Sequence, residues 1–441
     1  MVIVFALVAL LVLSVLVAGN WWVWRRLFRD TTRAPGFVRR AGAVVIAGGW
    51  ALMIGALVAE RTGAPFWLQQ VLAWPGFLWL ALALYLFLAV LAGEVVRPLL
   101  GRWLERRDRD KGAVREPDPE PVPAGVTTST ATSTSTPAST ATDSASTSAS
   151  ATDLPPDSPT PPGSLATPTR RLFVSRVIAG AAAAAAVGTV GYGTYDVLRG
   201  PKVKRVTVPL AKLPRAAHGY RIAVVSDIHL GPILGRGFAQ KVVDTINATQ
   251  PDLIAIVGDL VDGSVKDLGP AAAPLAGLRA RHGAFFVTGN HEYFSGAEQW
   301  VDEVRRLGLR PLENARTELP HFDLAGVNDV AGESEGQGPD FAKALGDRDK
   351  ARACVLLAHQ PVQIHDAVDH GVDLQLSGHT HGGQLWPGSL VAELANPTVA
   401  GLERYGDTQL YVSRGAGAWG PPTRVGAESD ITVIELASRQ A

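Results

Sequence analysis

Long apolar runs occupy the first hundred residues of the chain, and each is about long enough to cross a bilayer as a helix. Val2 to Ala18 is apolar except for Ser14, and three Trp residues follow it closely. Ala41 to Ala59 and Val71 to Gly93 are two further runs. Because indole rings favour the membrane interface, the Trp residues fit the end of a span. The pattern predicts a membrane region over residues 1–116 with three transmembrane helices.

The first run could instead be a cleaved signal peptide. Such peptides carry a basic segment before the apolar run. Here Arg25 and Arg26 follow the run, and no basic residue precedes it. This order favours a retained helix.

Basic residues alternate between the loops that join the spans. Six Arg residues lie between the first and second spans, only Arg61 lies between the second and third, and seven Arg or Lys residues follow the third. Basic loops remain in the cytoplasm. We therefore expect the N-terminus outside and the segment after Gly93 inside.

Residues 117–168 are rich in Ser, Thr, Pro and Ala and contain no aromatic residue. Such a composition cannot bury enough apolar surface to offset its chain entropy, which predicts a disordered linker. A glycosylated, mucin-like stalk is the alternative, but the expected topology puts this segment inside.

Residues 169–196 begin with Thr169-Arg170-Arg171-Leu172-Phe173, which is similar to a twin-arginine export motif, and continue into an alanine run. We expect a fourth transmembrane helix that delivers the remainder of the chain to the outer side. A soluble alanine-rich helix and cleavage after the alanine run are the alternatives.

From about Lys204 the pattern changes to short apolar runs that alternate with amphipathic stretches. Five runs have strand length and end abruptly in Asp, Asn or His, which is typical of buried strands leaving a core. They are RIAVVSDIH, DLIAIVGD, AFFVTGNH, ACVLLAHQ and LQLSGHTH. In α/β folds ligand sites form at such sheet edges, so the five ends predict one shared site.

The residue types at these ends suit a metal ion. Asp227 and His229 are two positions apart, so an extended chain would direct both to one side, and His379 and His381 repeat the spacing. Carboxylates and imidazoles without thiolates favour Mn, Fe or Zn in a reactive site. Cys354 is the one cysteine, which excludes an internal disulfide framework and a cysteine-based zinc cluster. The formal net charge is zero, and the His-rich part is acidic, so we expect no nucleic-acid partner.

Five short motifs occur in a fixed order between Asp227 and His381: DIH, GDLVD, GNHE, AHQ and GHTH. In this respect the chain resembles the calcineurin-like metallophosphoesterases, in particular a bacterial membrane-associated branch. The resemblance covers residues 204–437 and implies a catalytic domain at 204–441, a four-layer α/β sandwich with two central β-sheets flanked by helices. It also implies two divalent metal ions and phosphoester hydrolysis by a metal-activated hydroxide.

The resemblance assigns roles residue by residue. It places Asp227, His229, Asp259 and His381 around the first metal and Asp259, Asn290, His359 and His379 around the second, with Asp259 bridging. His291 would contact the phosphate and protonate the leaving group. Asp262 and Glu292 are either orienting residues or ordinary turn residues.

The implied substrate is a phosphodiester, pyrophosphate or phosphomonoester, either a phosphorylated small molecule or a lipid-linked envelope molecule such as a nucleotide-linked acylated sugar. The membrane is the other expected partner. The alternative is a catalytically weak membrane sensor whose metal domain only binds a phosphorylated ligand.

Overall fold

A computed structural model of the protein describes residues 2–113 and 170–440. The predicted linker at 117–168 lies outside the described residues.

Within residues 2–113 and 170–440, four long α-helices precede the first strand, and seven shorter ones lie among the strands. They are α1 (Val2–Trp24), α2 (Phe37–Arg61), α3 (Phe66–Ala113), α4 (Arg170–Leu198), α5 (Arg236–Ala248), α6 (Val265–Ala272), α7 (Asn290–Ser295), α8 (Ala297–Arg306), α9 (Phe341–Leu345), α10 (Ile364–Asp369) and α11 (Gly388–Ala395).

Twelve strands within the described residues form two sheets of six. They are β1 (Lys202–Leu210), β2 (Tyr220–Val225), β3 (Leu253–Val257), β4 (Ala284–Val287), β5 (Arg310–Pro311), β6 (Ala315–Glu318), β7 (Phe322–Gly326), β8 (Ala353–Leu357), β9 (Leu374–Ser377), β10 (Gly401–Tyr405), β11 (Thr408–Val412) and β12 (Asp430–Ser438). The strand orders are β1-β12-β2-β3-β4-β5 and β10-β11-β9-β8-β7-β6.

The two sheets pack face to face, with helices on both outer sides. Ile222 and Leu253 of the first sheet share one buried cluster with Phe322 and Leu374 of the second. A separate core lies between the first sheet and α5, α6 and α8, and another lies between the second sheet and α9 and α10. Both sheets mix parallel and antiparallel pairs. The predicted four-layer sandwich is confirmed.

All five apolar runs predicted to be strands are strands: β2, β3, β4, β8 and β9. Each of the last four is buried at every position. The uninterrupted apolar sequences of β3, β4 and β8 are what parallel strands covered on both faces require. In β9, the buried polar side chains of Gln375 and Ser377 hydrogen-bond to each other.

In the part of the chain that the structure describes, three helices are long and apolar enough to cross a membrane. They are Phe37–Arg61, Phe66–Arg107 and Arg170–Leu198. The first predicted span, Val2 to Ala18, is helical within α1. The side chains at positions 2–6, 8 and 9 lie outside the description, so that span stays a prediction.

Small residues let these long helices approach closely, as they do in membrane proteins. A Cβ on Gly76 of α3 would lie 2.8 Å from the carbonyl oxygen of Leu52 in α2, and Gly49 of α2 lies directly under the Trp79 ring. Ala81 and Tyr85 of α3 pack against Ala186 of α4 and its neighbour Val190.

The first four helices, α1 to α4, form a helix bundle, and residues 202–440 form the two-sheet domain. Polar contacts also attach the helix bundle to the two-sheet domain. The Thr194 hydroxyl of α4 lies 2.7 Å from the Thr423 hydroxyl, and the Tyr85 hydroxyl of α3 donates to the carbonyl of Trp386 at 3.0 Å. The bundle therefore has a defined position beside the loops that follow the strands.

Candidate metal centre

The segments after β2, β3, β4, β8 and β9 meet at one edge of the sandwich. They bring all eight predicted site residues into a single buried region, although the role of each residue remains a prediction. Those residues are Asp227, His229, Asp259, Asn290, His291, His359, His379 and His381.

The backbone at this edge differs from the sequence-based expectation. Asp227 and His229 were expected to face one side because the chain is extended, but β2 ends at Val225 and both residues have a positive φ, 52° and 48°. Asp259, His379 and His381 have positive φ as well. This conformation is unfavourable for residues with a Cβ and concentrates at functional sites. Tight turns, and not strand alternation, bring these side chains together.

Asp227, His229 and His381 form the first group of candidate ligand atoms. Nε2 of His229 lies 3.0 Å from Nε2 of His381, which in turn lies 3.4 Å from Asp227 Oδ1. The Asp227 carboxylate is held by the Ser226 hydroxyl at 2.5 Å and by the backbone N–H of His379 at 3.0 Å.

Asp259, His359 and His379 form the second group, with Asn290 beside them. Nε2 of His359 lies 3.1 Å from Asp259 Oδ2, and Nδ1 of His379 lies 3.0 Å from Asn290 Oδ1. Asp259 Oδ2 is also 3.8 Å from Nε2 of His229, a member of the first group. Asp259 is thus the carboxylate located between the two groups.

His359 shows that these donors fit a cation. Its Nδ1 lies 2.8 Å from the carbonyl oxygen of Val257, which can only accept, so Nδ1 carries the proton. In the neutral ring Nε2 then presents a lone pair, and this buried atom has no hydrogen-bond partner although it faces Asp259. A lone pair opposite a carboxylate is unfavourable unless a positive charge lies between them. Burial opposes protonation of His359, but Asp259 raises the pKa of His359 well above its usual value, so without a bound ion a proton on Nε2 is that charge. A bound cation would take its place.

The charges of the second group also suit a cation. Burial opposes ionisation of Asp259, but the imidazoles of His359 and His229 hold its pKa well below the usual range. Burial and the nearby His359 lower the pKa of His379 to about 4. A carboxylate and a neutral imidazole are the forms that bind metal ions.

Asp262 orients two histidines and is not an ordinary turn residue. Its Oδ1 lies 2.9 Å from Nδ1 of His229 and 2.7 Å from Nδ1 of His291. Burial opposes its ionisation, yet these two imidazoles lower the pKa of Asp262 to about 2. Because Nδ1 of His229 donates to this carboxylate, Nε2 of His229 is free to face the first group.

His291 lies at the wall of the cavity with Nδ1 fixed by Asp262. Burial disfavours its charged form, but the hydrogen bond to Asp262 raises the pKa of His291 to about 9, so the ring is protonated near neutrality. A ring nitrogen of His291 is also close enough to His229 and Asp259 to form a third possible metal-holding group. Geometry therefore permits two roles for His291, proton donor or ligand.

Glu292 holds the loops and does not face the cavity. It is fully buried, and its two oxygens accept from the backbone N–H groups of Asp259, Leu260 and Gly289 at 3.0, 2.8 and 2.6 Å. It thereby ties the loop after β3 to the loop after β4.

Two glycines allow these loops to touch. Gly258 has φ 77°, and a Cβ there would lie 2.5 Å from Nδ1 of His359. Gly289 has an ordinary φ of −105° and needs no left-handed conformation. Its requirement is space, because a Cβ would lie 2.5 Å from the backbone nitrogen of Asp259.

Residues outside the five motifs complete the site, and sequence patterns gave no indication of them. Arg424 is buried, with one guanidinium nitrogen 3.2 Å from Nδ1 of His381 and another donating to its carbonyl at 3.0 Å. Glu60 and Arg61, at the end of α2, line the same cavity of about 720 Å³ as the histidines. A membrane helix thus forms part of the wall.

Comparison with known proteins agrees with this architecture. The family model for the calcineurin-like phosphoesterases matches residues 220–383. A metallophosphoesterase of Helicobacter pylori is 39% identical over 255 residues, which cover 57% of this chain and 68% of that protein. This chain belongs to the calcineurin-like metallophosphoesterase family.

Other metallophosphoesterases match this chain over different fractions of their own length. One from Aquifex aeolicus is 34% identical over 243 residues, covering 54% of this chain and 92% of the relative. A zebrafish (Danio rerio) transmembrane protein with a metallophosphoesterase domain is 38% identical over 259 residues, or 56% of this chain. The match spans only 59% of the zebrafish protein's own length.

Proposed function

We propose that this protein is a two-metal phosphoesterase that hydrolyses a phosphoester of a membrane-associated substrate. The observation that carries the proposal is the meeting of two Asp/His groups around Asp259, with buried Nε2 of His359 3.1 Å from that carboxylate. In this proposal Asp227, His229 and His381 hold one divalent ion, and Asn290, His359 and His379 hold the other.

A pair of bound divalent ions would supply Lewis-acid polarisation of the phosphoryl group and lower the pKa of water. Side chains of the protein supply the orientation of the histidines and the proton for the leaving group. Asp262 keeps His229 and His291 in fixed orientations, and the protonated His291 ring faces the cavity, where it can donate to a departing oxygen. Arg424 and Glu292 hold the surrounding loops in place.

We further propose that the domain at 204–441 lies outside the cytoplasmic membrane, joined through residues 169–196 and the linker at 117–168 to the membrane region at 1–116. The arrangement of the bundle supports this orientation. Arg26, just after α1, contacts Glu94 of α3 at 2.6 Å, so the basic segments after the first and third predicted spans begin on the same side of the bundle. The opposite end of α2, at Glu60 and Arg61, lines the catalytic cavity.

An assay of the full chain in lipid nanodiscs with Mn²⁺ tests the enzymatic proposal. We expect turnover of a nitrophenyl phosphodiester, a phosphomonoester or a pyrophosphate, and the panel identifies the bond type. Binding of a phosphorylated ligand without multiple turnovers would instead favour the membrane sensor. The matched control is Asp302→Asn, an exposed carboxylate outside the site, which should leave turnover unchanged.

A further inference from the structure

A second cavity, of about 970 Å³, lies between the helix bundle and the two-sheet domain. Residues from α1, α2, α3 and α4 form one side, and the loop from His379 to Leu385 together with α11 forms the other. We call this cavity the bundle groove. Apart from the loop residues at one end and Asn20 on α1, its lining is apolar: Leu16, Val45, Trp79, Leu84 and Val187 are typical.

The bundle groove adjoins the candidate metal centre. Five residues line both cavities: Leu80 of α3, and His379, His381, Trp419 and Pro421 of the two-sheet domain. Two of these are candidate ligands. A molecule that reached the metal centre from this side would therefore have its polar end among carboxylates and imidazoles and the remainder of its length among hydrocarbon side chains.

The rim of the bundle groove also exposes apolar side chains. On α11, Leu390, Val391 and Leu394 are exposed, and Val391 lines the groove as well. Trp386, just before α11, is exposed, and its carbonyl accepts the hydrogen bond from Tyr85 of α3. Exposed apolar residues beside membrane-spanning helices are expected to enter the bilayer interface. The groove is thus located where a lipid could enter sideways.

The lining selects the occupant by its chemistry. A sugar or nucleotide in this apolar groove would lose hydrogen bonds to water without replacing them. A hydrocarbon chain leaving the bilayer exchanges one apolar surrounding for another, so no dehydration opposes its entry. Binding of the chain in the groove then adds little to the affinity for the substrate. Its main effect is to align the attached phosphate with the metal centre.

We propose that the bundle groove binds a hydrocarbon chain of the substrate, so that the substrate class is an acylated phosphoester taken laterally from the bilayer. This inference rests on the proposed phosphoesterase function. It assigns the choice of substrate to the helices of the bundle, because α1, α2, α3 and α4 all line the groove.

Two substrates that differ only in chain length test the inference. They are nitrophenyl phosphodiesters of a long-chain and of a short-chain diacylglycerol, with the same scissile bond and leaving group. Each is presented to the full chain in nanodiscs with Mn²⁺, and the ratio of the two kcat/KM values is measured.

Ala183→Trp fills the groove from α4, and Ala83→Trp fills it from α3. Ala185→Trp is the matched control, because Ala185 lies two residues away on α4, is exposed and does not line the groove. Each groove-filling variant should lower the long-to-short ratio by at least about tenfold, the lower range for exclusion from an apolar pocket. The control should leave both values unchanged.

The outcomes separate the two proposals. If the wild type hydrolyses both esters and the groove-filling variants leave the ratio unchanged, the groove is not the chain site and this inference is wrong. Equal losses for both esters would mean that the groove holds a structural lipid, which also overturns it. If the wild type hydrolyses neither ester nor any soluble phosphoester, the phosphoesterase proposal itself is wrong.

Discussion

The carboxylate of Asp262 lies 2.7 Å from Nδ1 of His291, and this contact fixes the ring at the wall of the cavity that contains the candidate metal ligands. It also raises the pKa of His291 to about 9, in opposition to burial. The ring therefore has both the orientation and the protonation state that a general acid needs.

His291→Ala should leave both metal ions bound while turnover falls by about 10²–10⁴-fold, the usual range for the loss of a general acid. The loss should depend on the leaving group. Nitrophenolate departs without a proton and should be affected least, whereas an alkoxide should be affected most. Metal content and the two rates are measured on the same preparation.

Equal losses for both leaving groups would indicate that His291 positions the phosphate. A collapse of metal content would assign His291 as a ligand, the role that its proximity to His229 and Asp259 also permits.

Asp262→Asn tests the orientation of His229. An amide can replace only part of the carboxylate contacts to His229 and His291, at 2.9 and 2.7 Å, and it carries no charge. Loss of such an orienting group lowers metal affinity by about 10–100-fold. Titration of the metal-free protein with Mn²⁺ measures this effect. Unchanged affinity for Mn²⁺ would show that Asp262 does not orient His229 for metal binding and acts only on His291.

Asp259→Asn tests the bridging position between the two ligand groups. Because Asp259 lies 3.1 Å from His359 and 3.8 Å from His229, its neutralisation should affect both candidate metal sites. We expect metal content to fall from two ions per chain to one or none, with loss of turnover, as measured by elemental analysis. Two retained ions with a near-normal rate would refute the bridging assignment.

The orientation in the membrane can be tested with engineered cysteines. The native thiol, Cys354, is buried, and burial raises its pKa to about 12, so background labelling should be low. An impermeant maleimide should label Asp407→Cys, in the two-sheet domain, in intact cells. Arg102→Cys, in the basic segment of α3, should be labelled only after lysis. The reverse pattern would put the domain in the cytoplasm.

The sequence predicts the sandwich and the cluster at its edge because both depend on local patterns. A run such as that of β8 must stop being apolar where it leaves the core, and His359 comes two residues after its last position, Leu357. The motif order then identifies the family. The turns were not predicted, since the positive φ of Asp227 and His229 comes from long-range packing.

Contacts between residues that are far apart in the sequence leave no local sequence pattern from which they could be predicted. Arg424 reaches His381 across 43 residues, and Glu60 comes to the cavity from a helix whose composition predicts only a membrane span. Asp262 and Glu292 lie inside the motifs, but their partners are known only from the folded loops. Helix periodicity does not show which end of a span meets another domain.

The end of α2 forms one wall of the cavity that contains the candidate metal ligands. The wall and the ligands therefore come from different parts of the chain. The candidate metal ligands belong to the two-sheet domain, whereas Met53, Leu57 and Glu60, which line the same cavity, belong to α2. A version trimmed to the two-sheet domain would keep its chemistry but present an open, less discriminating surface. Exchanging the helices between related proteins should accordingly transplant substrate preference and leave the reaction itself as it was.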